Sequence, residues 1–211
     1  MINKKFYIPV IVVLLLLLIM LYYFDRSSKS DAIQEQPFSP KTKAIYITSS
    51  LNNRKYLVQN LENKEDATYI LSVVHERIML FKNYLANNIN QYPYFSQYIK
   101  QFCGRIKNLD IYENTPNGKF TSFTVNKGEE IALCLRSKVT GELHDINLIM
   151  YVVLHELAHV ACPEVDHTDL FKKIFIFFLE VAIFIKIYEK VNYQIDPHEY
   201  CGLPIRENLL K

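Results

Sequence analysis

At 211 residues the chain has the length of one domain with room for a short extra segment. Half of its residues are hydrophobic, and the net charge of +2 comes from Lys4, Lys5 and Arg26 set against Asp25. Everything after Arg26 is electrically balanced, so no basic footprint for nucleic acid is present and no nucleic-acid partner is expected. Cys103, Cys134, Cys162 and Cys201 include no C-x-x-C pair and make no disulfide framework; so sparse a count fits a reduced compartment and leaves room for one or two disulfides.

In chain order, residues 1–5 are a short tail with Lys4 and Lys5. Phe6 to Phe24 follow as 19 apolar residues without a charge. As a helix they are long enough for a hydrocarbon core of about 30 Å. A cleaved signal peptide is usually shorter in its apolar part and ends at small residues, which Leu21-Tyr22-Tyr23-Phe24-Asp25 does not offer. The run is therefore read as a retained single-pass anchor at residues 6–24, and the polar residues 25–43, with Pro37 and Pro40, as its linker to a domain over 44–211.

Within that domain, Ala44–Ser49 and Lys55–Gln59 read as two short strands around Leu51-Asn52-Asn53-Arg54. Residues 64–91 have the 3.6-residue apolar period of a helix, with His75 as a structural residue inside it. Pro93 to Gly118 reads as loops with at most a short helix. Lys119–Val125 and Ile131–Leu135 read as strands joined through Asn126-Lys127-Gly128, with Ile131, Leu133 and Leu135 on one face. A last apolar helix is expected over Phe171–Tyr188; Lys172, Lys173, Glu180 and Lys186 make it a buried helix rather than a second membrane span.

The stretch with the most chemistry is Leu148 to Ala161. Apart from Tyr151, its only polar side chains are His155, Glu156 and His159, spaced H-E-x-x-H. On a helix the two histidines share a face about 6 Å apart and can hold one metal ion, with Glu156 beside them as general base. Left unsatisfied in an apolar segment, each polar group would cost about 2–7 kcal/mol, a cost that a bound metal removes. Asp145 is placed to cap this helix and Pro163 to end it.

A catalytic zinc usually takes a third protein ligand and leaves one position open. His167, just past the turn that ends the motif helix, is the favoured third ligand. Glu180 lies 21 residues beyond His159, while Cys162 and Glu164 sit where the helix terminates. For stabilising an oxyanion the sequence offers Tyr193, His198, Tyr200 and Arg206, and no spacing selects among them.

The motif His155-Glu156-Leu157-Ala158-His159 followed by His167-Thr168-Asp169-Leu170-Phe171 resembles the WLM/SprT-like group of minimal zincin metallopeptidases. Thr121–Gly128, Cys134-Leu135-Arg136 and Tyr200-Cys201-Gly202 look like the version found in large DNA viruses, and the resemblance spans residues 44–205. Two departures stand out: seven residues separate His159 from His167, and no glycine follows His167. The resemblance implies an α+β fold in which a small, mostly antiparallel sheet packs on the HExxH helix and a following helix. It implies His155, His159 and His167 as Zn2+ ligands and Glu156 as the base. The resulting expectation is a membrane-anchored zinc endopeptidase acting on protein or peptide substrates, localised at a viral or host membrane. The alternative is a catalytically inactive zincin-fold membrane protein with a structural metal, acting in binding or assembly.

Overall fold

The computed structural model describes residues 43–115, 121–207, 209 and 210. The anchor expected at residues 6–24 lies outside the described residues, as does the expected linker up to residue 42; among the described residues no helix is long and apolar enough to cross a membrane.

Strands β1 (Ala44–Thr48) and β2 (Lys55–Gln59) pair antiparallel, with Ala44 opposite Gln59 and Thr48 opposite Lys55. Asn53 takes the left-handed turn conformation at φ 55°, which asparagine tolerates better than most residues. Helix α1 (Lys64–Asn87) buries Ala67, Leu71, Val74, Ile78, Phe81 and Leu85 along its apolar stripe. It stops short of residue 91: Asn88 leaves helical geometry at φ −112° and ψ 16°, and its side-chain amide donates to the Tyr84 carbonyl at 2.8 Å. A short 3-10 turn, Ile89–Gln91, follows.

The stretch expected to be mainly loop contains helix α2 (Ser96–Arg105) and strand β3 (Asp110–Glu113). The strand has only four residues, too few to establish an alternating pattern. With β4 (Phe123–Val125) and β5 (Glu130–Leu133) it forms a sheet of order β3-β5-β4. β4 runs antiparallel to β5, but β3 runs parallel to it, the exception to the antiparallel expectation. As the central strand, β5 buries both faces: Ile131, Ala132 and Leu133 are all inaccessible, not only the alternate residues.

A buried carboxylate ties the β1–β2 hairpin to this sheet. Glu113 accepts the Gln59 N–H at 2.7 Å and the Arg136 Nε–H at 2.7 Å, and Arg136 also donates to Asn63 at the start of α1. Burial pushes the Glu113 carboxyl upward against the pull of Arg136 and the Gln59 amide. Removing either member would leave a buried charge uncompensated.

Helix α3 (Ile146–Ala161) carries the motif. Asp145 caps it, accepting the Asn147 N–H at 2.7 Å, and the chain turns extended at Cys162 before Pro163. Its terminal carbonyls, orphaned by the helix end, are taken by α2: Arg105 donates to Val160 at 2.5 Å and Gln101 to Ala161 at 3.0 Å. Helix α4 (Asp169–Phe184) begins and ends earlier than the apolar pattern alone predicts, because Thr168 caps it and the chain leaves helical geometry after Ile185, with Lys186 at φ 60°. It is a core helix, with Phe177 stacked on Phe95 at 4.1 Å and Phe178 edge-on to Phe81 at 5.0 Å.

The hairpin of β6 (His198–Tyr200) and β7 (Leu203–Ile205) closes through Cys201 and Gly202, at φ 52° and 83°. Positive φ at both central residues is the tight two-residue hairpin turn. A disulfide joins Cys201 to Cys134 at the end of β5, with Cα atoms 6.3 Å apart; Cys103 and Cys162 are free. This is one of the one or two disulfides for which the cysteine count leaves room. The two partners lie 67 residues apart, and only the docking of the hairpin brings them together.

The turn between β4 and β5 rests directly on the motif helix. Gly128 has φ 114°, and a Cβ there would lie 2.9 Å from Cγ1 of Val160 and 3.1 Å from Cγ2 of Ile106. Gly128→Ala is expected to destabilise the fold by roughly 1–3 kcal/mol, from overpacking and a disfavoured backbone. The urea midpoint measures this, and an unchanged midpoint would show that the turn is not held against α3.

Candidate metal centre

His155 and His159 stand one turn apart on α3, and His167 returns to them because the chain doubles back after Pro163. Thr168, the next residue, accepts the Phe171 N–H and starts α4, so the third histidine is held immediately before a helix rather than on it. The three Nε2 atoms form a tight triangle: 3.2 Å between His155 and His159, 3.3 Å between His159 and His167, and 3.0 Å between His167 and His155.

That triangle fits a metal. Tetrahedral nitrogen ligands at the usual zinc distance of about 2.0–2.1 Å lie about 3.3 Å from one another. Three neutral imidazoles cannot satisfy each other in such an arrangement, since each ring carries one donor and one acceptor on opposite nitrogens. A cation at the centre uses all three lone pairs at once.

Phe171 forms the floor beneath them. Its ring stacks on His159 at 4.1 Å and meets His155 edge-on at 5.0 Å and His167 at 4.9 Å. Phe175 supports His155 from the next turn of α4, at 5.2 Å. The aromatic residue four places after His167 thus fixes the ring orientations by packing.

Glu156 lines the same cleft and is 8% exposed. Burial raises its carboxyl to about 7. Burial, with the neighbouring imidazoles, lowers His155 to about 3; burial and His167 bring His159 to about 4, against a small opposing pull from Asp166. The depressed values keep these rings neutral, the form that binds metal.

The cleft beside the three histidines encloses about 620 Å³. Tyr151, Val152, Phe171 and Phe175 give it an apolar wall, and Tyr200 and the segment Leu203–Glu207 line another side. Among the other candidates from the sequence, Glu180 is exposed on α4 and Cys162 is buried. Glu164 accepts the Thr168 hydroxyl. None of the three is in the ligand group formed by the histidines. Tyr193 is packed against Tyr151 at 4.9 Å, and His198 pairs with Asp196 at 3.1 Å. Of the oxyanion candidates only Tyr200 and Arg206 reach the cleft. Sequence reasoning missed Ser122, which bonds the Tyr200 hydroxyl at 2.7 Å, for a lone serine before a strand carries no signal of its partner.

A helix bearing H-E-x-x-H, a third histidine at the mouth of the next helix and a small sheet alongside are the parts of a zincin-like metallopeptidase. The WLM domain matches residues 104–174. Protein R325 of Acanthamoeba polyphaga mimivirus is 59% identical over 171 residues, covering 81% of this chain and 87% of R325. Protein 136R of Invertebrate iridescent virus 6 is 28% identical over 163 residues, covering 70% of this chain and 85% of 136R. Among solved structures, a Wss1 mutant from Saccharomyces cerevisiae aligns at TM-score 0.45 and 18% identity, over 62% of this chain and 88% of that one. The chain belongs to the WLM family, zincin-like and associated with zinc, in the form carried by large DNA viruses.

The perturbed groups set an expected pH dependence for the metal-free chain. Between 6.5 and about 4, His155 and His159 stay neutral when folded but bind protons when unfolded, so their contribution to stability falls as pH falls. His75 and His144, also lowered by burial, act in the same direction. Glu156 and Glu113 oppose them: between about 7 and 4.5, Glu156 retains its proton when folded and loses it when unfolded. Four histidines against two carboxyls predict a melting temperature that declines from pH 6.5 to 4, and declines more steeply in Glu156→Gln. A melting temperature that rises across that interval would contradict this assignment.

Proposed function

We propose that this chain is a membrane-anchored zinc endopeptidase. The observation that carries the reading is the convergence of three imidazole Nε2 atoms within 3.3 Å of each other, with a buried glutamate lining the same cleft. His155, His159 and His167 would hold the zinc. Bound there, it supplies the Lewis acidity that polarises a peptide carbonyl and makes water a competent nucleophile near neutral pH.

The remaining work belongs to the chain's own residues. Glu156 takes a proton from the attacking water and delivers it to the departing amine. Its carboxyl, raised to about 7, lies near the operating pH, where a group can both accept and return a proton. Phe171 and Phe175 keep the imidazoles in place and exclude water from behind them. The apolar wall offers a seat for substrate side chains, and the open cleft has room for a segment of protein chain.

The rival, an inactive fold with a structural metal, calls for a closed four-ligand site. Among the described residues the ligand group at this cleft consists of the three histidines alone, which favours an open position. Anchoring rests on the uncharged run Phe6–Phe24, with residues 25–43 as tether to the domain from residue 44 onward.

The test uses the full chain in detergent, loaded with zinc, with labelled casein as substrate. Wild type is expected to bind one zinc and cleave. Glu156→Gln should keep the metal and lose activity by at least ~100-fold, His167→Ala should lose the metal, and Glu180→Ala should change neither. Full cleavage by the Glu156 variant, or full zinc binding by the His167 variant, would remove the corresponding residue from the mechanism.

A further inference from the structure

Tyr200 has an unusual set of fastenings for a residue that also borders the cleft. Its hydroxyl lies 2.7 Å from Oγ of Ser122, and Ser122 in turn accepts the Cys134 N–H at 3.0 Å. The following residue, Cys201, is joined by the disulfide to that same Cys134. His144 stacks on the Tyr200 ring at 5.0 Å and accepts the Cys201 N–H at 3.2 Å. The tight turn at Cys201 and Gly202 fixes where β6 ends. Sheet, hairpin and the start of α3 thus converge on one phenol beside His155 and Glu156.

We propose that Tyr200 is a catalytic residue: its hydroxyl donates a hydrogen bond to the oxygen of the scissile carbonyl as that oxygen gains negative charge. The inference rests on the peptidase reading above. The proposal takes one of the two hydrogen-bond orders open to the pair, with Ser122 donating to the phenol oxygen. The Cys134 N–H occupies one lone pair of Ser122, which leaves the serine both its proton and a second lone pair for Tyr200; in the catalytic arrangement the serine is the donor. With the phenol oxygen accepting from Ser122, its own proton points away from the serine and is available to the cleft. Each bond in such a chain polarises the next. Burial keeps the phenol protonated well beyond its ordinary range, so it remains a donor at every working pH. Glu156, by contrast, is an acceptor when ionised, and the two groups divide the work without competing. The other oxyanion candidates lack this geometry: Arg206 is exposed, while Tyr193 and His198 are engaged elsewhere.

A positioned donor of this kind contributes about 10²–10³ in kcat and little in ground-state binding. The experiment compares zinc-loaded full-length wild type, Tyr200→Phe, Ser122→Ala and Glu156→Gln on a quenched fluorescent peptide taken from a casein cleavage site. Affinity for a phosphinic peptide of the same sequence is measured by calorimetry alongside. Tyr200→Phe is expected to keep one zinc per chain and the wild-type KM, lose about 100-fold in kcat, and lose affinity for the phosphinic peptide to a similar degree. Ser122→Ala, which keeps the phenol but removes the hydrogen bond that orients it, should lower kcat by a smaller factor at unchanged KM.

Wild-type kcat and inhibitor affinity in Tyr200→Phe, with Glu156→Gln inactive, would overturn this inference and leave the peptidase reading standing. No cleavage by wild type would overturn both. Should Tyr200→Phe fail to fold, Ser122→Ala decides: a kcat equal to wild type counts against the proposal, and a selective fall in kcat supports it.

Discussion

Three imidazole nitrogens held about 3 Å apart are the constraint on which the rest of this structure depends. Neutral rings in that arrangement cannot all be satisfied by hydrogen bonds to one another, and protonated rings would repel. The fold must therefore supply packing strong enough to keep them together. It does so with aromatic carbon: Phe171 touches all three rings, and Phe175 backs His155. Both phenylalanines belong to the helix that starts immediately after the third histidine. The same residues that build the core behind the site also orient its ligands.

Around the motif helix, each remaining element secures one part. Asp145 closes its first turn, Arg105 and Gln101 cover its last carbonyls, and Gly128 allows the β4–β5 turn to lie against Val160. The buried Glu113–Arg136 pair ties the N-terminal hairpin to the sheet. The disulfide from Cys134 to Cys201 fixes the C-terminal hairpin as one side of the cleft. A cleft assembled from segments this distant in sequence needs such links, because its walls share no continuous secondary structure.

Much of the domain was legible from pattern. The long apolar periodicity marked α1, the caps at Asp145 and Pro163 bounded α3, and the strands of the first hairpin fell where alternation placed them. The histidines singled out from spacing are the three whose Nε2 atoms meet, since i to i+4 geometry is local and a proline turn reverses the chain before His167. Where the pattern was short, it misled or was silent. β3 has four residues and pairs in parallel with a strand that follows it by some twenty positions, so no local signal announces it. β5 buries both faces because it is central, a fact about its neighbours rather than its own residues.

By itself the sequence determined the spacing of the candidate ligands: two histidines and a glutamate on one helix, a third histidine past a proline, and an aromatic one turn later. These follow from helical spacing and backbone sterics, which act over a few residues. Tertiary structure alone decided which phenol faces the cleft, which cysteines join and which serine bonds Tyr200. Ser122 and Tyr200 are 78 residues apart, and Cys134 and Cys201 are 67. No local propensity couples positions so distant. They meet because Tyr200 and Cys201 are buried where the C-terminal hairpin docks beside β5 and His144, and that packing is a property of the whole chain.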